Sequence, residues 1–495
     1  MSEQKSSYRQ IMKATSLFGG VQVFNIIIGI VRSKFLAVLL GPAGMGIAGL
    51  INSTIGLITS LTNFGLSTSA VKNISQANAT ENIDRISTVV SVFKRLVWIT
   101  GLLGTLVTFI LAPLLSKFTF NNEDYTIAFR LVSITLLISQ LSNGQMVVLQ
   151  GMRKLKYLAS ANMIGAVVGL LVSIPVYYFL GIKGIVPAIL ISSFLGLALT
   201  FYFSSKVKIP KKTISISILK QEGTSMVKMG FMLSLSNLIG LGVGYILGIF
   251  INKTGGVEQV GLYNAGFAIV NSYIGMVFAA MATDYFPRLS SAVNDNKKSA
   301  EMINHQAEIG ILIIAPILVV FLVFIGNIVG ILYSSKFFAI NSMMQYVALG
   351  IFLKTVTWAM GFMIIAKGDL KIFFFSELVT NIYTLLLNML FYKMYGLNGI
   401  GISFILCYSL ALLQTYFVIH FKYNFVFKFT FYKIFSIQFF LAILCFIVVH
   451  FISGGIVYLI SLPLILLTLF FSFKELNKNL DIVEFVKSKL QKKIN

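Results

Sequence analysis

Between Leu17 and Phe473 one pattern recurs along the chain: a run of about twenty apolar residues, a short polar or basic stretch, then another run. A run of that length is what an α-helix needs to cross a hydrocarbon core of roughly 30 Å. With no water in that core, a spanning segment must satisfy its own backbone, so the runs predict helices. Composition excludes a water-soluble fold, because 57% of the 495 residues are hydrophobic and only 11% are charged, against about 25% charged in a soluble domain. Spans are predicted near 17–40, 46–70, 93–115, 127–150, 158–180, 184–204, 228–251, 258–286, 307–331, 342–366, 372–395, 397–420, 434–452 and 455–473, about fourteen in all.

Lysine and arginine set the orientation, because positive loops beside helix ends resist translocation. One set of loops carries Lys5, Arg9 and Lys13; Lys72, Arg85, Lys94 and Arg95; Arg153, Lys154 and Lys156; Lys206, Lys208, Lys211, Lys212 and Lys220; Arg288, Lys297 and Lys298; Lys367 and Lys371; Lys422, Lys428 and Lys433; and the tail from Lys474. The alternate loops carry only Lys117, Lys183, Lys253, Lys336 and Lys393. A split of about 29 to 5 predicts cytoplasmic termini and an even helix count. The formal net charge of +23 would suit nucleic acid only if gathered on one solvated face. Its distribution between apolar runs excludes that partner.

Leu17 onward follows a polar stretch without a small-residue cleavage pattern, and reads as a retained first helix. The outer loops, at most about a dozen residues, leave no room for an external catalytic domain. There is no nucleophile and base pair, no Walker glycine loop and no metal motif, so the chain is not expected to be an enzyme. Cys407 and Cys445 fall inside apolar runs, while His305, His420 and His450 lack ligand spacing, so neither a disulfide nor a metal cofactor is expected. In the tail, Leu476, Leu480, Val483, Val486 and Leu490 share one helical face, which suits either the inner leaflet or a solvated helix.

Matches at an offset of about 215 predict an internal duplication. Gly181-Ile182-Lys183-Gly184-Ile185 answers Gly396-Leu397-Asn398-Gly399-Ile400, and Leu155-Lys156 answers Leu370-Lys371. Leu197 pairs with Leu412, Thr200 with Thr415, Gly41 with Gly256 and Gly46 with Gly261. The expected organisation is a lobe of helices 1–6 over residues 1–215, a lobe of helices 7–12 over 216–430, appended helices 13–14 over 431–473 and a cytoplasmic basic tail over 474–495. Six helices return the chain to its starting side, so the expected fold is an all-α polytopic membrane protein whose two parallel six-helix lobes enclose a central cavity. Such lobes can open to either side by rocking, the geometry of a carrier rather than a pore.

Ionisable residues inside spans are costly and usually face a cavity, so they are the site candidates. Arg32 and Lys34 stand roughly 13 Å and 10 Å before the turn at Gly41, where they either face the cavity or snorkel to the headgroups. Lys354 is about twelve residues from both ends of its span, too deep to snorkel, and is expected to face the interior. Arg130 and Lys228, near helix ends, read as headgroup anchors. Asp284 and Arg288 have the spacing of a local ion pair, with Asp284 otherwise a coupling acid. Glu377 suits a coupling proton or cation, or a pair with Lys354 or Lys371. The balance is positive, which favours a phosphorylated anion and repels a lipophilic cation. Asn25, Asn52, Asn63, Asn237, Asn264 and Asn271, with nearby hydroxyls, suit sugar hydroxyls, although small residues in such helices also serve close packing.

Three segments resemble Wzx-type flippases, the polysaccharide branch of the multidrug/oligosaccharidyl-lipid/polysaccharide exporter superfamily. They are the first helix and its turn, Arg32-Ser33-Lys34-Phe35-Leu36-Ala37-Val38-Leu39-Leu40-Gly41-Pro42-Ala43-Gly44-Met45-Gly46; Val260-Gly261-Leu262-Tyr263-Asn264-Ala265; and Tyr285-Phe286-Pro287-Arg288-Leu289-Ser290. The resemblance implies a bacterial inner-membrane carrier that turns an undecaprenyl-diphosphate-linked oligosaccharide from the cytoplasmic to the periplasmic leaflet. Its implied partners are that lipid, membrane lipids and a polysaccharide polymerase and export machinery, with a proton or sodium gradient for coupling. In the related peptidoglycan-precursor flippases an arginine about nine residues before the glycine ending the first helix lines a cationic cavity, and Arg32 stands at that distance from Gly41. Those flippases also carry two appended helices, so a peptidoglycan lipid precursor stays open as cargo, as does a cation-coupled multidrug antiporter. On the first implication Arg32, Lys34 and Lys354 hold the diphosphate.

Overall fold

The computed structural model describes residues 2–480 apart from Lys211 and Ser453. The amphipathic tail expected beyond Leu480 therefore lies outside the described residues, as does Lys211 of the basic loop. No strand occurs among the described residues. In chain order the helices are α1 (Ser2–Asn63), α2 (Leu66–Ala79), α3 (Ile83–Phe120), α4 (Thr126–Gly151), α5 (Leu155–Leu180), α6 (Ile185–Ser205), α7 (Ile216–Gly255), α8 (Val257–Ile269), α9 (Gly275–Ser291), α10 (Asn296–Leu332), α11 (Asn341–Ala366), α12 (Leu370–Tyr423), α13 (Phe429–Phe451) and α14 (Ile456–Leu480). A single π-helical turn, Val270–Ile274, joins α8 to α9.

Among the described residues eleven helical stretches are long and apolar enough to span a bilayer, which makes the chain a multi-pass membrane protein. Three of them, of 44, 51 and 54 residues, are about twice the length one crossing needs. Each contains a glycine of positive φ: Gly41 at 65°, Gly181 at 55° and Gly396 at 58°. Divided there, eleven stretches become the fourteen spans expected. Gly181 and Gly396 mark reversals rather than bends. A Cβ built on Gly184 would lie 2.7 Å from the Val176 carbonyl oxygen, and one on Gly399 only 1.9 Å from that of Phe391. Eight residues of straight helix would hold those positions roughly 12 Å apart.

Helices α3, α7 and α10 begin well outside the predicted spans, and each starts at a side-chain cap. Asn82 accepts from the Arg85 amide at 3.1 Å, Ser215 from Ile218 at 3.4 Å and Asp295 from Lys298 at 3.1 Å. Such caps satisfy amides left open at a helix start. Helix α1 likewise begins at Ser2, before the expected Leu17, because no proline or glycine interrupts residues 2–18.

Contacts divide the chain into two units, Met1–Gly261 and Leu262–Asn495. In the first, α3 packs on α4, α6 on α4 and α5, and α1 along α5 and α7. Beside the basic loops α2, α3, α4 and α7 bury a core of Leu66, Ile74, Val90, Phe93, Val147 and Met226. In the second, α11 packs on α10 and α12, while α13 and α14 pack on α10.

The offset of 215 reappears in the backbone. Met152 N donates to Val148 O at 2.9 Å and Lys367 N to Met363 O at 2.9 Å; Arg153 N donates to Gln150 O and Gly368 N to Ile365 O, both at 3.0 Å. Arg153 and Gly368 both have positive φ, 54° and 73°. Within the first unit the match is reciprocal. A Cβ on Gly46 would lie 1.9 Å from the Val257 carbonyl oxygen, and one on Gly261 would lie 1.8 Å from that of Pro42. Only glycine permits backbones to approach so closely, which explains why both motifs carry one.

Candidate functional site

In the first unit the structure separates two cations that the sequence grouped. Arg32 and Lys34 are both exposed on α1, but two positions on a helix are about 200° apart. Arg32 shares a stripe with Gln22, Asn25 and Gly29, spaced for one face. Asn25 is half-buried, and its buried Oδ1 has no hydrogen-bond partner among the described residues. Lys34 shares the other stripe with the exposed aliphatics Val23, Ile27 and Val38. That surroundings suits snorkelling for Lys34. Asn52 and Asn237 are exposed, and their side chains take part in no hydrogen bond among the described residues. Arg130 is exposed, with its guanidinium 5.7 Å from the Phe109 ring centroid.

Asn63 belongs to a connected polar chain. Gln140 Nε2 donates to Asn63 Oδ1 at 2.9 Å and to Thr100 Oγ1 at 3.0 Å. Asn63 Nδ2 donates to Ser67 Oγ at 3.4 Å, and Asn143 Nδ2 to the same oxygen at 3.0 Å. Two separate pairs join α4 to α6, where Ser142 and Thr200 hydroxyls are 3.1 Å apart and Ser204 donates to Gln145 at 2.6 Å. The spine of this network is Ser139-Gln140-Leu141-Ser142-Asn143-Gly144-Gln145 on α4, a dense run of uncharged polar residues inside a span. Sequence reasoning passed over it, although that density was a readable signal. It borders a cavity of about 400 Å³ between α4, α5 and α6.

In the second unit Lys354 lies at the midpoint of α11 and is half-buried. Its Nζ stands 5.8 Å from the Phe278 ring centroid on α9 and 5.6 Å from that of Tyr408 on α12. It has no ion pair or hydrogen bond among the described residues. The helix behind it is fixed by rings: Trp358 meets Phe278, Tyr285 and Phe362, and the Tyr285 hydroxyl donates to Ala359 O at 2.7 Å. This gives the Tyr285-Phe286-Pro287-Arg288 motif a structural meaning, as the anchor of α9 on α11.

Glu377 is half-buried on α12 and forms no ion pair with Lys354 or Lys371. Asp284 pairs with Arg288 at 2.9 Å, both exposed. Asn264 is half-buried, and Asn271 is exposed in the π-helical turn. Among the described residues no group of three or more His, Cys, Asp or Glu could hold a metal ion.

With this geometry in hand, known proteins supply the context. The profile of a family described as polysaccharide biosynthesis protein matches residues 35–342. The lipid III flippase of Escherichia coli (strain K12) is 23% identical over 354 residues, covering 70% of this chain and 83% of that protein. Among solved structures, the lipid II flippase MurJ in its inward closed conformation superposes with a TM-score of 0.68 at 14% identity, over 94% of this chain and 99% of that one. An inward-facing multidrug resistance MATE family transporter of the MOP superfamily gives 0.68 at 15% identity, over 81% of this chain and 94% of that one. At these identities the structures establish the fold alone. Together the matches bear out the superfamily resemblance read from residues 32–46, 260–265 and 285–290.

Proposed function

The chain belongs to the polysaccharide biosynthesis protein family, and on that premise we propose that it is a flippase for an undecaprenyl-diphosphate-linked oligosaccharide. The cargo moves from the cytoplasmic to the periplasmic leaflet of a bacterial inner membrane. The observation that carries this reading is Lys354, a cation at the centre of a spanning helix with two aromatic faces and no ion-paired carboxylate among the described residues. A lysine at a helix centre costs roughly 2.5–3.5 kcal/mol. Two ring contacts near the outer limit of cation–π range together offset about 1–2 kcal/mol of that. What is left is a standing attraction for an anion, and a lipid diphosphate is an anion delivered within the bilayer.

Arg32 can meet phosphate oxygens as a two-pronged donor, and Lys34 adds a charge near the headgroups. A lipophilic cation finds no counter-charge at Lys354, which weighs against the antiporter alternative. A peptidoglycan precursor has the same diphosphate carrier and differs in its glycan, so that alternative separates from the main reading only at the sugar. The lipid III flippase relative favours a lipid-linked glycan of either kind. Transport would proceed by alternating access of two six-helix repeats, residues 1–215 and 216–430. Glu377, without a cation partner among the described residues, would bind the coupling proton or sodium ion. Asp284, tied to Arg288, is the weaker coupling candidate.

Deletion followed by analysis of the lipid pool tests the reading, with accumulated undecaprenyl-diphosphate oligosaccharide expected. A normal lipid pool together with sensitivity to cationic dyes overturns it. Arg32→Ala is expected to abolish glycan export while the protein stays folded in the membrane.

A further inference from the structure

The cavity between α4, α5 and α6 has no charged lining residue, although it lies within membrane-spanning helices. Its polar groups are Ser139, Ser142 and Asn143 from α4, Asn162 from α5, and Ser193 and Thr200 from α6. Its floor is bare backbone: a Cβ on Gly165 or Gly196 would meet nothing within 4 Å. We infer that this cleft, formed entirely within the first unit, binds an uncharged sugar unit of the lipid-linked cargo. The inference rests on the flippase reading and names a contact for the glycan that is separate from the cationic residues.

Three observations carry it. The first is unspent hydrogen-bonding capacity. Asn143 gives one N–H to Ser67 at 3.0 Å, leaving its other N–H and its carbonyl oxygen for a ligand. Asn162 has no hydrogen-bond partner among the described residues. Both N–H groups and the carbonyl oxygen of its side chain are therefore on offer to a polar occupant. Sugar hydroxyls and acetamido groups donate and accept at once, as amides and hydroxyls require.

The second is electrostatic. With no lysine or arginine in the lining, the cleft offers nothing to a phosphate or a uronic acid, and with no acid it offers nothing to a cation. A neutral pyranose ring is the polar group that needs no counter-charge. The volume of about 400 Å³ falls within the range of small-molecule pockets, enough for about one or two rings. Asn143 is held in place by the Ser67–Asn63–Gln140–Thr100 chain, so its orientation is set before a ligand arrives.

The third is depth. Asn143 lies near the Gly151 end of α4, Asn162 near the Leu155 start of α5 and Thr200 near the Ser205 end of α6, each roughly 7–12 Å from the basic-loop side. In the proposed orientation that is the cytoplasmic side, where a lipid-linked sugar enters.

The test uses the full chain in nanodiscs, with undecaprenyl diphosphate and undecaprenyl-diphosphate-N-acetylglucosamine as probes. The wild type is expected to bind the glycosylated lipid about tenfold more tightly than the bare lipid. Gly196→Leu, whose Cβ enters space with nothing within 4 Å, should erase that preference and leave the bare-lipid affinity unchanged. Asn143→Ala should reduce it several-fold. No preference in the wild type, or a preference that survives Gly196→Leu, overturns the inference. Flipping of both probes in proteoliposomes is measured alongside. Preference retained in Gly196→Leu with wild-type flipping intact sinks the sugar site alone. Preference lost in Gly196→Leu from a wild type that flips neither probe sinks the flippase reading and leaves the sugar site standing.

Discussion

Ser403 donates a hydrogen bond to the Asn388 side-chain oxygen at 2.6 Å although fifteen residues separate them in α12. A straight helix would hold them roughly 22 Å apart, so the bond closes the reversal at Gly396 from inside. Ser403 is fully buried and Asn388 nearly so. Side-chain hydrogen bonds in membrane proteins average about 0.6 kcal/mol and reach about 1.7 kcal/mol. A double-mutant cycle on Ser403→Ala and Asn388→Ala should give a coupling in that range in a detergent unfolding assay. Additive effects would show that the two groups act independently.

On the proposed role of Lys354, function and stability oppose one another. Lys354→Gln removes a cation that costs more at the helix centre than its two rings offset. The variant is therefore expected to be about 1 kcal/mol more stable in unfolding and to lose glycan export. Intact export with lowered stability would falsify its assignment as an anion contact.

Gly46 and Gly261 tolerate nothing larger. Gly46→Ala and Gly261→Ala each place a carbon under 2 Å from a backbone carbonyl oxygen, and overpacking of this kind costs roughly 1–3 kcal/mol or more. Each single variant should show a lowered melting temperature and less folded protein in the membrane. Wild-type melting in either would contradict the close approach.

Asp369 gives the second unit a pH dependence. The Tyr423 hydroxyl, then Lys422 at 3.0 Å, hold its carboxyl below the ordinary carboxylate range. A carboxyl so lowered contributes stability that is full above its unfolded value near about 4 and is lost as pH falls through the lower folded value. The stability gap between wild type and Asp369→Asn should therefore be constant from neutral pH to about 4 and close below it. A gap that closes on the alkaline side instead would overturn the assignment.

The span pattern was legible because length, hydropathy and glycine act locally. The reversals at Gly181 and Gly396 follow from a glycine between two apolar runs, and the structure puts positive φ at both. The relation of Arg32 to Lys34 was also open to reading, since helical spacing alone sets them on different faces. What could not be read was which hydroxyls face a cavity. In a spanning helix most Ser and Thr side chains bond to a carbonyl one turn back, as Thr54 does to Leu50 O and Thr108 to Gly104 O. A serine that does so looks the same in sequence as Ser142, which reaches Thr200 on another helix. Only packing distinguishes the two. The aromatic cradle of Lys354 was hidden for the same reason, because Phe278 and Tyr408 lie on helices distant in sequence.

The glycine contact between the turns has a further consequence. Gly46 meets Val257 as Gly261 meets Pro42, and each residue of one pair is 215 positions from its counterpart in the other. Exchanging the two segments leaves the contact unchanged, which is the property of an isologous interface between identical subunits.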